Sequence, residues 1–335
     1  MARRIPRWLK LLAACALALG MLAGTATRAG AQQAAPAYPA RTVRLVVAYP
    51  PGGTSDIVGR ALAQVMGARL GQSFIVENRT GAGGIIGTDS VAKAAPDGYT
   101  ILVAASGPIA YLPALSPKLP YDIRKDFETV GNIVTLPNLM VVNPASGIAS
   151  IDGLAARTRA KPGKVNFGSA GVGSSGHISG ELFNLLADVK MVHVPYRGSG
   201  PALVGLIGGE IDVMFENLPS ALSQARGGKL RGIAVLSARR SPSAAEYPTT
   251  AELGMPELVI ASSTGLLAPG GTPRETVAVL ENALRAVAAD PDSQRIFSAF
   301  GADIDFQDAA QYRAYIEDEI KRWSAVGRKA QIVIK

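Results

Sequence analysis

An apolar run rich in β-branched residues, Leu45-Val46-Val47-Ala48-Tyr49, stops at Pro50-Pro51-Gly52-Gly53, and Val58, Ala61, Leu62, Val65 and Met66 then recur at helical spacing. The pattern predicts a strand, a tight loop and a helix reaching Leu70, with Gly71 as its stop. The same grammar returns in the second half of the chain. Val165-Asn166-Phe167 leads into Gly168-Ser169-Ala170-Gly171-Val172-Gly173-Ser174-Ser175-Gly176-His177, followed by Ile178, Leu182, Leu185 and Leu186 at helical spacing. Glycines let the backbone approach a ligand, and polar residues cap the helix that follows. Each loop therefore suits an anion or polar end group held on backbone N–H groups. Two such loops, one per half, predict a ligand held between two lobes.

The remaining pattern fills in an α/β chain. Phe74-Ile75-Val76 and Ile101 to Ala105 read as strands, the first leading through Glu77–Gly84 into a helix and the second ending at Ser106-Gly107. Strand and helix alternate again through a helix near Ile151–Ala160, a strand at Met191–Val194, a helix at Leu203–Ile207, a strand at Ile211–Phe215 ending in Glu216-Asn217, and a strand at Leu230–Leu236. Such alternation predicts parallel sheets with the ligand crevice at the C-terminal strand ends. Asn138–Asn143 and Glu257–Leu267 are apolar and extended, and read as two crossings between lobes, a hinge. The expected division places residues 38–141 and 262–335 in one lobe and 142–261 in the other. Thr272-Pro273-Arg274-Glu275 reads as a capping box, and Asp308-Ala309-Ala310-Gln311 opens a last helix with Tyr312, Ile316, Ile320 and Trp323 on one face.

The N-terminus changes the charge picture. Arg3, Arg4, Arg7 and Lys10 precede the apolar segment 11–23, and Ala29-Gly30-Ala31 offers a small-x-small cut, so residues 1–31 read as a secretory signal peptide. The segment is shorter than the ~18–20 apolar residues of a membrane span. Leu12-Ala13-Ala14-Cys15 resembles a lipoprotein acylation box, but most of the apolar run follows that cysteine. The Arg3-Arg4 pair hints at twin-arginine export, against which Pro6 stands. Removing residues 1–31 takes away five basic residues and no acidic ones, leaving 29 Lys+Arg against 26 Asp+Glu and a net charge of +3 instead of +8. No basic stripe interleaved with aromatics remains, which argues against nucleic acid as a partner. The single cysteine, Cys15, leaves with the signal, so the mature chain has no disulfide, thiol nucleophile or cysteine-bound metal.

The candidate chemistry is non-catalytic. Gly171-Val172-Gly173-Ser174-Ser175-Gly176 matches a dinucleotide fingerprint after a strand and before a helix, yet no acidic residue near 193–196 follows to hold a ribose. A polar-ligand loop and a structural glycine turn are the other readings. Ser174 and His177 lack a nucleophile elbow, so a capping serine and a loop-stabilising histidine fit better than a nucleophile and base. His177 and His193 are the two histidines and have no carboxylates at metal-binding spacing. Asp56 suits either a ligand ammonium or its own helix N-terminus. Arg79 and Arg197 stand on strand-end loops, where either a carboxylate or solvent is a fitting partner.

Nine stretches in order then carry a resemblance: YPARTVRLVVAYPPGGTSDIVGRALAQ, VENRTGAGGIIGT, AKAAPDGYTILV, LPYDIRKDF, FGSAGVGSSGH, HVPYRGSGPAL, GGEIDVMFENLPSAL, GKLRGIAV and LLAPGGTP, spanning residues 38 to about 330. The chain resembles the receptors of tripartite tricarboxylate transporters, the Bug family of periplasmic solute-binding proteins. The resemblance implies the type II periplasmic binding fold, two α/β lobes joined by a two-crossing hinge with the ligand cleft between them. It also implies no catalysis, no cofactor, and a small carboxylate ligand such as a dicarboxylate, tricarboxylate, amino acid or aromatic acid. The implied partners are the membrane permease subunits, and the expected state is a monomer free in the periplasm, cut near Ala31. By this resemblance the ligand faces Gly52, Gly53, Thr54, Ser55 and Asp56 in the first lobe and Ser169, Ala170, Gly173, Ser174 and His177 in the second, with Ser106, Gly107 and Asn217 as further cleft positions. Two departures stand out: Ser263-Thr264 occupies the place of a family tryptophan, and Gly205 that of an aspartate. The rival expectation is an exported α/β enzyme using the 168–176 loop for a phosphate-bearing or nucleotide ligand.

Overall fold

The computed structural model describes residues 38–330, 332 and 334. The expected signal peptide, its expected cut near Ala31 and Cys15 lie outside these residues.

Strand β1 (Val43–Val47) is buried at every position except Arg44, as expected of a central strand covered on both faces. It leads into helix α1 (Thr54–Leu70), which ends where Gly71 turns left-handed and bonds back to Gly67 O. Strands β2 (Phe74–Asn78) and β3 (Thr100–Ala105) flank β1 in parallel, separated by the short helix α2 (Ile85–Ala92). After β3 the chain makes a single wide turn of helix, Gly107–Tyr111, and one turn more, α3 (Leu112–Leu115).

The sixteen-residue strand β4 (Phe127–Val142) joins the two halves. Its first part, to Pro137, pairs antiparallel with β9 (Ala261–Pro269), which also pairs with β3. From Asn138 onward its partners are β7 (Val213–Asn217) and β8 (Arg231–Val235). The second lobe's parallel strands β5 (Asn166–Ser169) and β6 (Val192–Pro195) continue outward from β7. Its helices are α4 (Ile151–Ala160), α5 (Ser175–Ala187), α6 (Ser199–Ile207) and α7 (Leu218–Arg226). The return crossing falls where Ile260 N–H still bonds Leu236 O and Ala261 begins β9.

Parallel pairing thus holds within each lobe, while the two crossing strands run antiparallel to their neighbours. The stretch Phe127–Pro137 was not legible as strand, because Gly131, Asn132 and Pro137 interrupt its alternation. Helices α8 (Arg274–Ala289), α9 (Pro291–Ala299) and α10 (Ala309–Ala330) pack back on the first lobe. The α10 cap is reciprocal: Gln311 N–H donates to Asp308 Oδ1 and Asp308 N–H to Gln311 Oε1. Its apolar face is buried, with Trp323 edge-on to Tyr111 at 5.4 Å. The capping box expected at Thr272 does not form. Pro273 takes the cap position, and the Thr272 hydroxyl turns back to donate to Pro269 O at 2.7 Å.

Candidate functional site

The loop after β1 is held from inside its own lobe. Gly52 adopts φ +82°, a conformation that disfavours any side chain, and Gly53 caps α1 without a side-chain acceptor, so the first N–H groups of the helix face outward. Asp56, in the first turn, accepts from Gly52 N and Arg60 Nε on Oδ2 and from Asn78 Nδ2 on Oδ1, each at 2.9 Å. Burial pushes its carboxyl up, but the bonds from Arg60, Gly52 and Asn78 outweigh this and hold it below its usual range. Asp56 is thus a brace for the loop, with its lone pairs directed away from the cavity.

The loop after β5 is held by neutral groups. The Ser174 hydroxyl caps α5 by accepting His177 N–H, and Gly173 N–H donates to His177 Nδ1 at 3.2 Å. That bond requires an unprotonated Nδ1. His177 stacks on His193 with centroids 4.0 Å apart, and His193 stacks on Phe167 at 4.9 Å. His193 Nε2 lies 2.7 Å from Ser169 Oγ, which also accepts Gly171 N–H. Burial pulls the His177 imidazole down to about 4; His193 is lowered by burial first and by the His177 charge second. The capping serine and loop-stabilising histidine inferred from sequence are both present.

Between the loops lies a cavity of about 40 Å³ lined by Tyr49, Gly53, Thr54, Ser55, Ala105, Gly107, Ala170, Ser174, Ser175, Gly176, Ser199, Glu216, Asn217 and Ser262. Four helices start at its wall: α1 at Thr54, α5 at Ser175, α6 at Ser199 and α7 just after Asn217. Only the α5 start uses its own cap side chain; the caps of α1, α6 and α7 make no side-chain bond to their helices. Four partial positive charges therefore converge on a space with no basic side chain in its lining.

Of the residues expected from sequence, the structure brings Gly53, Thr54, Ser55, Gly107, Ala170, Ser174 and Asn217 to the cavity wall. It places the others behind it. Gly52 and Asp56 brace the first loop, and Ser169, Gly173 and His177 brace the second. Ser106 Oγ accepts Ser263 N–H at 2.7 Å and sits 3.0 Å from Ser263 Oγ, tying the end of β3 to β9. Ser263 thus has a structural use at the place where the resemblance led to the expectation of a tryptophan. At the other departure, a side chain on Gly205 would collide with Tyr196 Oη, which bonds Glu210 Oε2 at 3.1 Å. Of the two candidate arginines, Arg79 pairs with Glu77 at 2.7 Å. Arg197 lines a neighbouring cavity of about 700 Å³ that shares Tyr49 and Ala170 with the first.

Ser199, Glu216 and Ser262 line the cavity and were missed. A signal existed for two of them. Gly198-Ser199 repeats the glycine–hydroxyl–helix grammar of the other loops, and Asn217-Leu218-Pro219 marks a helix start directly after a strand. The predicted α6 began at Leu203, which hid Ser199 in its preceding turn.

Across the cleft the lobes meet at glycines. A Cβ on Gly83 would overlap Val172 O, one on Gly173 would overlap Leu112, one on Gly107 would lie 3.1 Å from Gly173 O, and one on Gly198 would lie 2.8 Å from Pro50 Cδ. Side chains also link the lobes, Thr54 Oγ1 to Ser220 Oγ at 3.1 Å in the cleft, and Asp303, which accepts from the Ser241 and Ser243 hydroxyls, away from it.

Two α/β lobes joined by a pair of crossing strands, with helix starts from both around a cavity between them, define a periplasmic solute-binding receptor. Residues 58–332 match the tripartite tricarboxylate transporter family receptor model, and the chain belongs to that family, one of receptors and not enzymes. It is 39% identical over 318 residues to protein BugT of Bordetella pertussis, covering 95% of this chain and 97% of BugT. A Rhodopseudomonas palustris protein solved with adipate superposes with TM-score 0.86 at 34% identity, covering 88% of this chain and 99% of that one. MatC of the same organism, solved with malate, gives 0.82 at 33% identity, covering 86% and 99%. Among the described residues no helix is long and apolar enough to cross a membrane, and no group of three or more His, Cys, Asp or Glu could hold a metal ion.

Proposed function

We propose that this chain is an exported receptor that captures a small carboxylate between its lobes and presents it to the membrane subunits of a tripartite tricarboxylate-type transporter. The observation that carries this reading is the convergence of four helix N-termini on a cavity without basic side chains. Each such end favours an anion by ~0.3–1 kcal/mol, more where partly buried. The hydroxyls of Ser55, Ser174 and Ser262 add donors, while those of Ser175 and Ser199 already donate to Asn217 Oδ1 and Glu216 Oε1. The adipate and malate seen in family structures are ligands of this chemistry.

A cavity of about 40 Å³ has room for a few waters, not a dicarboxylate, so capture on this reading begins with the lobes apart. We place the hinge at Pro137–Asn138 and Ile260–Ala261, where the ladders change partner, a few residues before the division expected from sequence. The test is a calorimetric screen of mono-, di- and tricarboxylates beside neutral sugars, with scattering on the binders. A carboxylate that binds and shrinks the radius is the expected result. Sugar binding, or tight binding with unchanged dimensions, defeats the proposal.

A further inference from the structure

Among the polar groups at the cavity wall, Glu216 is the one that the carboxylate reading does not absorb. It ends β7, is 5% exposed, and lines the space into which four helices point. Oε1 accepts Ser199 Oγ at 2.8 Å and Ser220 Oγ at 2.7 Å. With its proton on Glu216, Ser220 must accept from Thr54, so a directed chain of hydroxyls runs from the first lobe to this acid. No other described side chain bonds Oε2.

A carboxylate entering here meets a second carboxyl with no Lys, Arg or His in the lining to offset the pair. Like charges that share an enclosed site do not both stay ionised, and one retains a proton. Oε1 already serves two donors and is the acceptor oxygen of the group. We propose that Glu216 meets the ligand as a neutral acid, donating from Oε2 to a ligand carboxylate oxygen, so that capture takes up a proton only at pH values where Glu216 of the free protein is ionised, and favours acids without an amino group. The proposal rests on the carboxylate reading above.

The surroundings agree. Burial, ahead of the opposing bonds from Ser220, Ser199 and Asn217, raises the Glu216 carboxyl above its ordinary range. On the β1–α1 loop, Tyr49 faces it and is raised by burial and then by Glu216 itself, so it stays a neutral phenol. Asp56 of α1 is bound to Arg60, and His177 of α5 is stacked on His193. From α6 and α7 the facing groups are the hydroxyls of Ser199 and Ser220, and Arg226 at the far end of α7 pairs with Glu246 at 2.7 Å.

The test uses the mature protein and its Glu216→Gln and Glu216→Asp variants, with malate and adipate as probes, titrated calorimetrically from about pH 5 to about pH 8.5. Buffers of different ionisation enthalpy count the protons taken up. Infrared difference spectra of wild type against Glu216→Gln look for the carbonyl stretch of a protonated carboxyl at neutral pH. The expected result is that stretch in wild type, with affinity falling up to ~10-fold per pH unit once Glu216 ionises. Glu216→Gln should bind with no such slope and within ~3-fold of the low-pH wild type, a difference of ~0.65 kcal/mol. Glu216→Asp keeps a titrating group and should keep a slope. No protonated stretch, or loss of binding in a folded Glu216→Gln protein with an amino acid preferred over malate, overturns the proposal. A stretch present in a wild type that binds no carboxylate defeats instead the functional reading on which the pairing depends.

Discussion

The two glycine loops perform one task with opposite electrostatics. Both present helix-start N–H groups to the cavity, and both need a brace to hold glycines in place. The first loop is braced by an ionised group, Asp56, tied to Gly52, Arg60 and Asn78. The second is braced by two stacked, uncharged imidazoles and a serine cap. A loop that must favour a passing anion can therefore be held by charge or without it, and the choice sets the pH range over which the loop survives.

The largest expected effect comes from the glycine that faces the other lobe. Gly173 sits at φ +79° with Leu112 against it, so Gly173→Ala combines ~1–2 kcal/mol of backbone strain with ~1–3 kcal/mol of overpacking. Urea denaturation should show the loss, and affinity should drop at least ~10-fold. Wild-type stability would show that the second loop moves freely relative to Leu112.

Next comes acid. His177 lies below its unfolded value, so its stabilising contribution is present above about pH 6.5 and is lost as pH falls toward about 4. The expected loss over that window is about 3 kcal/mol. His177→Asn retains an acceptor for Gly173 N–H but does not titrate, so its denaturation midpoint should fall less between those pH values, keeping only the share that His193, itself lowered chiefly by burial, contributes. An equally steep profile in that variant would place the acid sensitivity elsewhere.

Asp56→Asn should cost about 1.5 kcal/mol, chiefly through its bonds to Gly52 and Asn78, since the half-exposed Arg60 contributes little. Asp56 is lowered, so its contribution persists until pH falls below about 3.8, outside the histidine window. The variant should flatten the stability profile only there; a change above pH 5 would break the contrast between the loops. The smallest effect is at Gly52→Ala. Its φ is as unfavourable as that of Gly173, but nothing lies within 4 Å of the added Cβ. Strain alone, about 1 kcal/mol, should appear in denaturation, with affinity nearly unchanged.

Much of this was legible because strand, glycine and capping residue follow one another in the chain. That local order located both loops, the last helix and the two extended segments that join the lobes. Glu216 and Ser262 were not legible because their importance comes from what faces them across the cleft, which no neighbouring residue encodes. Asp56 and His177 were seen as candidates, but sequence spacing cannot tell a group aimed at a cavity from one aimed behind it. Thr272 shows the same limit on a small scale, since its hydroxyl could accept a helix N–H as a cap but donates backward to Pro269 O instead.

The backbone seam of Gly83, Gly107, Gly173 and Gly198 also bears on the entropy of closing. Fixing a long side chain at an interface costs up to about 1.5–2 kcal/mol of lost rotamer freedom, whereas glycine has none to lose. Lobes that meet with glycine on one side of each of these contacts, against backbone at Gly83 and Gly107 and against Leu112 and Pro50 at Gly173 and Gly198, fix fewer side chains on closing, so more of the ligand's interaction energy is left to appear as affinity. The same smoothness makes the seam intolerant: a single methyl group at Gly83 or Gly198 would act as a wedge, weakening capture without touching the ligand.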